Sequence, residues 1–262
     1  MGKSKWLLHF FWCDMEEMKN ISLIMEYDGS RYHGWQRQKD AMTIQGIIED
    51  RLRMMIQEPI TLIASGRTDA GVHALHQVCH FNTGTKIDPD SIKKGLNSLL
   101  PEDIFIKHVQ YIPVDFHSRH SVKSKIYEYR VLNCREPNLF LRFFSWHIRE
   151  RLNLEEMRQC LALLEGVHDF SAFKSTGSRN LNPVREMLHA ELLDPKKGVF
   201  TILFEANGFL RHMVRNIVGT LIEVGRGRIG LDDFREIFQS KDRRKAGMKA
   251  PPQGLFLRMV KY

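Results

Sequence analysis

The stretch Gly66-Arg67-Thr68-Asp69-Ala70-Gly71-Val72-His73 decides how the rest of the chain is interpreted. It follows Ile60-Thr61-Leu62-Ile63-Ala64, an apolar run with β-branched residues that predicts a buried strand. Gly66 and Gly71 allow tight backbone angles and the close approach of a ligand. The stretch is therefore predicted to be a loop at the end of a strand, where reactive side chains are often found.

Two charged residues lie between these glycines, Arg67 and Asp69. A neighbouring arginine favours an ionised carboxylate, and an ionised aspartate can act as a nucleophile or as a base. The same residues are also compatible with a turn in which Asp69 caps its own backbone and Arg67 forms a surface ion pair. From this stretch alone, both interpretations stay open.

The composition limits the classes of protein to consider. The 262 residues are 43% hydrophobic, which is enough for one large or two small domains. The net charge of +8 favours an anionic partner, most often nucleic acid, although a basic protein without such a partner is also compatible with it. The cysteines are far apart and form no Cys-x-x-Cys motif, so we expect free thiols in a reducing cytoplasm. They are Cys13, Cys79, Cys134 and Cys160.

Residues 1–19 are predicted to be a leader outside the fold. The apolar run 6–13 is much shorter than the roughly 20 residues of a membrane span, so no membrane association is expected. Lys3 and Lys5 precede this run as in a signal peptide, but acidic residues follow it and no small-residue cleavage site does. Met18 is a candidate for the natural start.

The remaining pattern predicts an α+β fold. Strands and helices are interspersed without a regular βαβ rhythm, and residues 184–206 predict a hairpin around Asp194-Pro195-Lys196-Lys197-Gly198, which favours largely antiparallel sheets. Glu26-Tyr27-Asp28-Gly29 and Glu205-Ala206-Asn207-Gly208 resemble each other weakly. We therefore expect two similar halves, an N-terminal half over 20–120 with the loop of Asp69 and a C-terminal half over 121–262, joined into one central sheet.

Tyr127 is a candidate for contact with nucleic acid. It lies in Lys125-Ile126-Tyr127-Glu128-Tyr129, which predicts a strand. A tyrosine on a strand can stack on an exposed base, which is worth about 1–3 kcal/mol per base. The alternative is a tyrosine of the core. The nearby cations of Lys123, Lys125 and Arg130 favour the nucleic-acid surface.

A predicted helix over 211–224 carries two arginines. Arg211 and Arg215 are one helical turn apart and are predicted to share a basic face, while Met213 and Ile217 face the core. Such a face suits contact with phosphate or carboxylate. A solvated helix face is the alternative.

Other common chemistries lack their motifs. The chain contains no P-loop, no G-x-G-x-x-G after a strand and no G-x-S-x-G, so neither a cofactor nor serine hydrolysis is expected. The histidines form no compact zinc pattern, so no metal site is expected. They are His73, His76, His80, His117 and His120.

Four segments, in order, resemble the motifs of the tRNA pseudouridine synthase A family, over about residues 20–262. They are the Gly66–His73 stretch, Lys125 to Tyr129, Arg211 to Gly219, and Ala250-Pro251-Pro252-Gln253-Gly254-Leu255-Phe256-Leu257. The resemblance implies that Asp69 is the nucleophile, that Tyr127 stacks on the base, that Arg215 neighbours Asp69, and that Leu255 packs in the active site. Ser118, His120 and Val122 depart from the alanine and aromatic residues usual in the family, which leaves the shape of that loop less defined.

The resemblance also implies a function. It implies a pseudouridine synthase fold with helices on the outer face, a homodimer, and conversion of uridines 38, 39 and 40 of the tRNA anticodon arm to pseudouridine without a cofactor. Arg67 would steer the flipped base or fill its place. Basic residues of the second half would follow phosphates, namely Arg226, Arg228, Lys241, Arg243, Arg244 and Lys245. The alternatives are a non-catalytic RNA-binding protein and a metal-dependent nuclease that uses the histidines.

Overall fold

The computed structural model of the protein describes residues 18–177 and 182–262. Within these ranges the chain forms a mixed sheet of ten strands together with five α-helices. Residues 1–17 of the predicted leader lie outside the described residues. The first strand begins at Lys19, so the last residue of the predicted leader belongs to the sheet. Cys13 also lies outside them, and the three described cysteines are free thiols.

The strands and helices follow one another in the irregular order that the sequence predicts. The strands are β1 (Lys19–Tyr27), β2 (Ile63–Ala64), β3 (His73–Thr83), β4 (Ile104–Ile112), β5 (Ser124–Asn133), β6 (Trp146–Ile148), β7 (Gly166–Asp169), β8 (Val184–Lys196), β9 (Val199–Ala206) and β10 (Leu255–Lys261). The helices are α1 (Ile44–Ile56), α2 (Pro89–Leu99), α3 (Leu154–Ala162), α4 (Met213–Gly225) and α5 (Leu231–Ser240), with single 3₁₀ turns at Ser171–Phe173 and Pro252–Gly254.

One continuous sheet connects the first and last parts of the chain. Its order is β4-β1-β3-β10-β5-β9-β8-β7, with β2 added to β3 and β6 added to β5. Every pairing is antiparallel except those of β10 with β3 and of β6 with β5. The predicted α+β class with a single, largely antiparallel sheet is thus confirmed. The division into halves 20–120 and 121–262 stays a prediction.

Side-chain caps begin three of the helices. The hydroxyl of Thr43 accepts the backbone N–H of Gly46 at the start of α1. Asp88 does the same for α2 and Asn153 for α3. Each cap satisfies an N–H that has no partner within its helix, typically worth about 1 kcal/mol.

The predicted strand over 60–64 is largely wrong, because only Ile63–Ala64 pairs as a strand. Side chains of α1 take up the backbone just before it. The N–H of Leu62 donates to Glu49 Oε1 at 2.9 Å, and the carbonyl oxygen of Leu62 accepts from Gln45 Nε2 at 3.2 Å. Polar groups bonded to a helix in this way are not available to a neighbouring strand.

Helix α4 runs through the interior of the fold. Residues on all its sides are buried, including the polar side chains of Arg215, Asn216 and Thr220. The segment before β10 crosses α4 at Gly219, where an added Cβ would lie 1.6 Å from the carbonyl oxygen of Met248. Since only glycine permits this approach, α4 and the segment leading to β10 are held together.

Candidate active site

Side chains of β1 and β3 anchor the start of the Asp69 loop, which joins β2 to β3. Gln77 donates from Nε2 to the carbonyl oxygen of Gly66 at 2.9 Å, and its Oε1 accepts from the Ser65 hydroxyl at 2.7 Å. The hydroxyls of Tyr27 and Thr68 are 2.8 Å apart. Buried hydrogen bonds of this kind define one conformation, since an unpaired buried group is costly.

The aromatic segment after β1, residues 32–35, forms backbone hydrogen bonds with the same loop. The N–H of Trp35 donates to the carbonyl oxygen of Thr68 at 3.1 Å, and the N–H of Gly71 donates to that of Tyr32 at 3.2 Å. Gly34 has a positive φ of 85°, and a Cβ there would lie 2.6 Å from the Thr68 oxygen. Tyr32 and Trp35 are buried and therefore serve the core.

Asp69 and Arg215 form an ion pair at the centre of the candidate site. Nη1 of Arg215 lies 3.2 Å from Oδ2 of Asp69, and Nε of Arg215 donates to the carbonyl oxygen of Ala250 at 2.8 Å. The side chain of Arg215 is 8% exposed, whereas that of Asp69 is 32% exposed. A buried guanidinium therefore orients a carboxylate that a substrate can still reach.

The predicted basic face shared by Arg211 and Arg215 is wrong. Helix α4 begins at Met213, and His212 before it adopts a left-handed conformation with φ of 60°. This turn removes Arg211 from the helix, so that its exposed side chain donates to the carbonyl oxygen of Thr176 at 3.0 Å. The cation that faces Asp69 is thus Arg215, while Arg67 is exposed at the surface of the loop.

His212 is a residue of the site that the sequence did not indicate. Its Nε2 lies 3.6 Å from Asp69 Oδ2, and its side chain is 13% exposed. Burial lowers the pKa of His212, the positive charges of Lys249 and Arg215 lower it further, and Asp69 opposes them. The imidazole is therefore neutral near neutral pH. An isolated histidine beside an arginine carries no local signal of this contact.

Tyr127 and Leu255 lie on the two strands that meet in the middle of the sheet. Tyr127 on β5 is opposite Leu257 on β10, is 8% exposed, and packs edge-to-face against Phe209 with ring centroids 4.9 Å apart. Burial raises the pKa of its hydroxyl, and the charge of Asp69 acts in the same direction. Leu255 is also buried. Their contacts with a substrate stay predictions.

The segment between α4 and β10 completes the site. The carbonyl oxygen of Gln253 lies 3.2 Å from His73 Nε2, and an added Cβ at Gly71 would lie 2.9 Å from the Pro252 ring. Together with the contact of Arg215 on Ala250, these contacts bring three distant segments to one place. They are the Asp69 loop, the start of α4, and residues 250–255.

Two of the candidate histidines for a metal, His73 and His80, have other partners. His73 Nδ1 accepts the N–H of Gly29 at 3.1 Å, and its ring stacks on Phe256. His80 Nδ1 lies 2.9 Å from the hydroxyl of Ser118. Over residues 18–177 and 182–262, no group of three or more potential ligands is arranged to hold a metal ion. No helix in these ranges is long and apolar enough to cross a bilayer.

Most of the basic residues expected to follow phosphates have partners within the protein. Arg226 and Arg228 pair with Glu223, Lys241 pairs with Asp169, and Arg244 pairs with Asp242. Arg243 donates to Asn216 Oδ1 at 3.0 Å and therefore supports α4. Lys245 and Lys249 are exposed, and Lys249 is close enough to Asp69 for the two charges to interact.

Comparison with known proteins identifies the family. The family described as tRNA pseudouridine synthase matches residues 23–121 and 161–262. A tRNA pseudouridine synthase A of Thermoanaerobacter sp. (strain X514) is 44% identical over 245 residues, which cover 94% of this chain and 100% of that protein. The tRNA pseudouridine synthase A of Acetivibrio thermocellus is 43% identical with the same coverage, and that of Geobacillus sp. (strain WCH70) is 44% identical over 93% of this chain and 98% of that protein. The chain therefore belongs to the tRNA pseudouridine synthase family, whose members are isomerases.

Proposed function

We propose that this protein converts uridine to pseudouridine in tRNA, at positions 38, 39 and 40 of the anticodon arm, with Asp69 as the nucleophile. The observation that carries the proposal is the pair of Asp69 with the buried Arg215, on a loop that the fold holds at both ends. Membership of the family supports the reaction and tRNA as its substrate.

The residues of the site have complementary roles in this reaction. A paired base must leave its stack before a side chain can reach it. Tyr127 stacks on the flipped uracil, and Arg67, exposed on the loop, steers the base or fills its place. Leu255 closes the pocket and excludes water from the reactive intermediate.

The chemistry is an isomerisation and needs no cofactor. Asp69 attacks either the sugar or the uracil ring, and the bond between N1 of uracil and C1′ of ribose breaks. The uracil rotates within the pocket and forms a new bond from C5 to C1′, and the bond to Asp69 breaks, which restores the free carboxylate. The proton on C5 is lost, and N1 gains one, so the product has the composition of the substrate. Arg215 keeps the carboxylate in place throughout.

The experiment is mass spectrometry of tRNA with a pseudouridine-specific label, before and after incubation with the protein. We expect label at positions 38, 39 and 40, and loss of label at each position where cytidine replaces uridine. Binding without label would favour a non-catalytic RNA-binding protein. Shortened RNA that chelator prevents would favour a metal-dependent nuclease.

We also infer from the family resemblance that the protein is a homodimer, and from its free thiols that it acts in the cytoplasm. Sedimentation equilibrium tests the first inference, since a dimer has twice the mass of the 30.7 kDa chain. Fractionation of cells that express the tagged protein tests the second.

A further inference from the structure

Lys125 connects β5 to the loop that carries Asp69. Its Nζ donates a hydrogen bond to the carbonyl oxygen of Ser65 at 2.6 Å. Ser65 is fully buried and directly precedes Gly66. An added Cβ on Gly66 would lie 2.7 Å from the same Nζ, so the glycine leaves room for the ammonium group. The contact therefore lies at the start of the Gly66–His73 stretch.

This contact differs from the other contacts at the start of the loop in the part of the chain that supplies the side chain. Gln77 and Tyr27 hold the start of the loop from β3 and β1, which belong to the first part of the chain, as the loop does. Lys125 holds it from β5, two residues before Tyr127. Because alternate residues of a strand point to the same face, Lys125 and Tyr127 share a face of the sheet. One strand thus carries both the anchor of the Asp69 loop and the tyrosine proposed to stack on the base.

The ammonium group of Lys125 has no carboxylate partner among the described residues. Burial lowers the pKa of Lys125 to about 8, and the positive charge of Arg119 acts in the same direction. Glu205, on the neighbouring strand β9, accepts instead from Ser124 and Lys261. Besides Lys125, the site holds the charged side chains of Asp69, Arg215 and Lys249 and the ionisable groups of Tyr127 and His212.

We propose that Lys125 is a positioning residue, whose bond to the Ser65 carbonyl holds the loop so that Asp69 faces the uridine stacked on Tyr127. This inference rests on the proposed function. A charged donor holds a carbonyl more strongly than a neutral amine does, so the loop is held best while Lys125 is protonated. The rate of the chemical step therefore falls as the pH rises past the pKa of Lys125.

The test compares wild type, Lys125→Met, Lys125→Arg and the control Lys94→Met, which removes an exposed lysine of α2. Single-turnover rates at saturating tRNA are measured from about pH 6.5 to about pH 9.5, together with tRNA affinity and melting temperature. We expect Lys125→Met to lower the rate at neutral pH by about tenfold or more while affinity stays within about threefold. Lys125→Arg should move the alkaline decline to higher pH, because a guanidinium stays charged. Lys94→Met should match wild type in rate and pH profile.

Three results would overturn the proposal. They are a wild-type rate and pH profile in Lys125→Met, a loss of tRNA affinity with an unchanged rate at saturation, and an alkaline decline that Lys125→Arg leaves in place. If Lys125→Met does not fold, the profile of Lys125→Arg decides alone. A wild-type protein that forms no pseudouridine would overturn the proposed function, whereas an active wild type with unaffected variants would overturn only the positioning role.

Discussion

Arg215 contacts both Asp69 and Ala250 through a single guanidinium, from Nη1 at 3.2 Å and from Nε at 2.8 Å. One of its partners belongs to the loop before β3, and the other lies just before β10. The two segments are far apart in the sequence, and both pack against the start of α4 in the fold. A rigid, planar cation with separate donors is suited to this double contact, which a lysine could not reproduce.

The first prediction concerns Asp69. We expect Asp69→Asn to abolish pseudouridine formation, because the amide is not a nucleophile, and to leave tRNA affinity within about tenfold, or about 1.4 kcal/mol. The control is Asp115→Asn, which alters an exposed carboxylate before β5. Label incorporation and filter binding measure the two effects. Turnover at the wild-type rate in Asp69→Asn would contradict the role of nucleophile.

The second prediction separates stacking from core packing at Tyr127. Tyr127→Phe keeps the ring against Phe209 but removes the hydroxyl, so we expect unchanged affinity and stability and a loss of turnover, because the hydroxyl takes part in proton transfer. Tyr127→Leu should lose affinity and rate, and also lower the free energy of unfolding by about 1–3 kcal/mol, since the ring is buried. Tyr111→Phe, at an exposed tyrosine of β4, is the control.

For Tyr127, single-turnover rate, tRNA affinity and melting temperature are measured on all variants. Normal turnover of Tyr127→Phe would remove the role of the hydroxyl and leave stacking. An unstable but active Tyr127→Leu would assign the residue to the core alone.

The third prediction concerns pH and His212. Burial lowers the pKa of this histidine in the folded state, so the unfolded chain binds more protons as the pH falls through the ordinary value of about 6.5. The contribution of His212 to the free energy of unfolding is therefore fully present above about pH 6.5 and is lost as the pH falls below this value. We expect His212→Asn to make the free energy of unfolding less dependent on pH between about 7.5 and about 5, since asparagine also tolerates the left-handed backbone.

Urea unfolding at several pH values measures this effect, with the exposed His120→Asn as the control. If the loss of stability on acidification is as steep in His212→Asn as in wild type, His212 is not the group responsible.

The fourth prediction concerns salt. Phosphate contacts release counterions, so the logarithm of the tRNA association constant should fall linearly with the logarithm of salt concentration. Alanine at Lys245 and Lys249 should reduce this slope by about one for each phosphate that the variant no longer neutralises. Arg243 is unsuitable for this test, because its bond to Asn216 supports α4. Lys94→Ala, at an exposed lysine of α2, is the control, and an unchanged slope in the double variant would exclude both lysines from the interface.

Local patterns in the sequence were sufficient for much of the fold. The capping residues Thr43, Asp88 and Asn153 act within three residues of their own side chains, and the alternation in β1 and β9 spans single strands. Such interactions depend on short-range geometry and can be read directly. The prediction from local pattern was wrong at Ile60–Leu62, because side chains of α1 hydrogen-bond to the backbone there.

The candidate site depended more on the family resemblance than on local pattern. That resemblance implied that Arg215 neighbours Asp69, which the ion pair agrees with. Spacing alone placed Arg211 on the same face as Arg215, which the left-handed turn at His212 prevents. A single positive φ of this kind has no reliable signal when the residue is neither glycine nor asparagine.

By itself, the sequence determined the basic character, the α+β class and the loop that carries Asp69. Only the tertiary structure decided that β10 lies between β3 and β5, and that His212 and Lys125 come next to the Asp69 loop. The physical reason is the separation along the chain between the residues that come into contact. Asp69 and Arg215 are separated by 146 positions in the chain, and such contacts follow from how buried faces of the whole sheet and α4 pack together, which no short segment encodes.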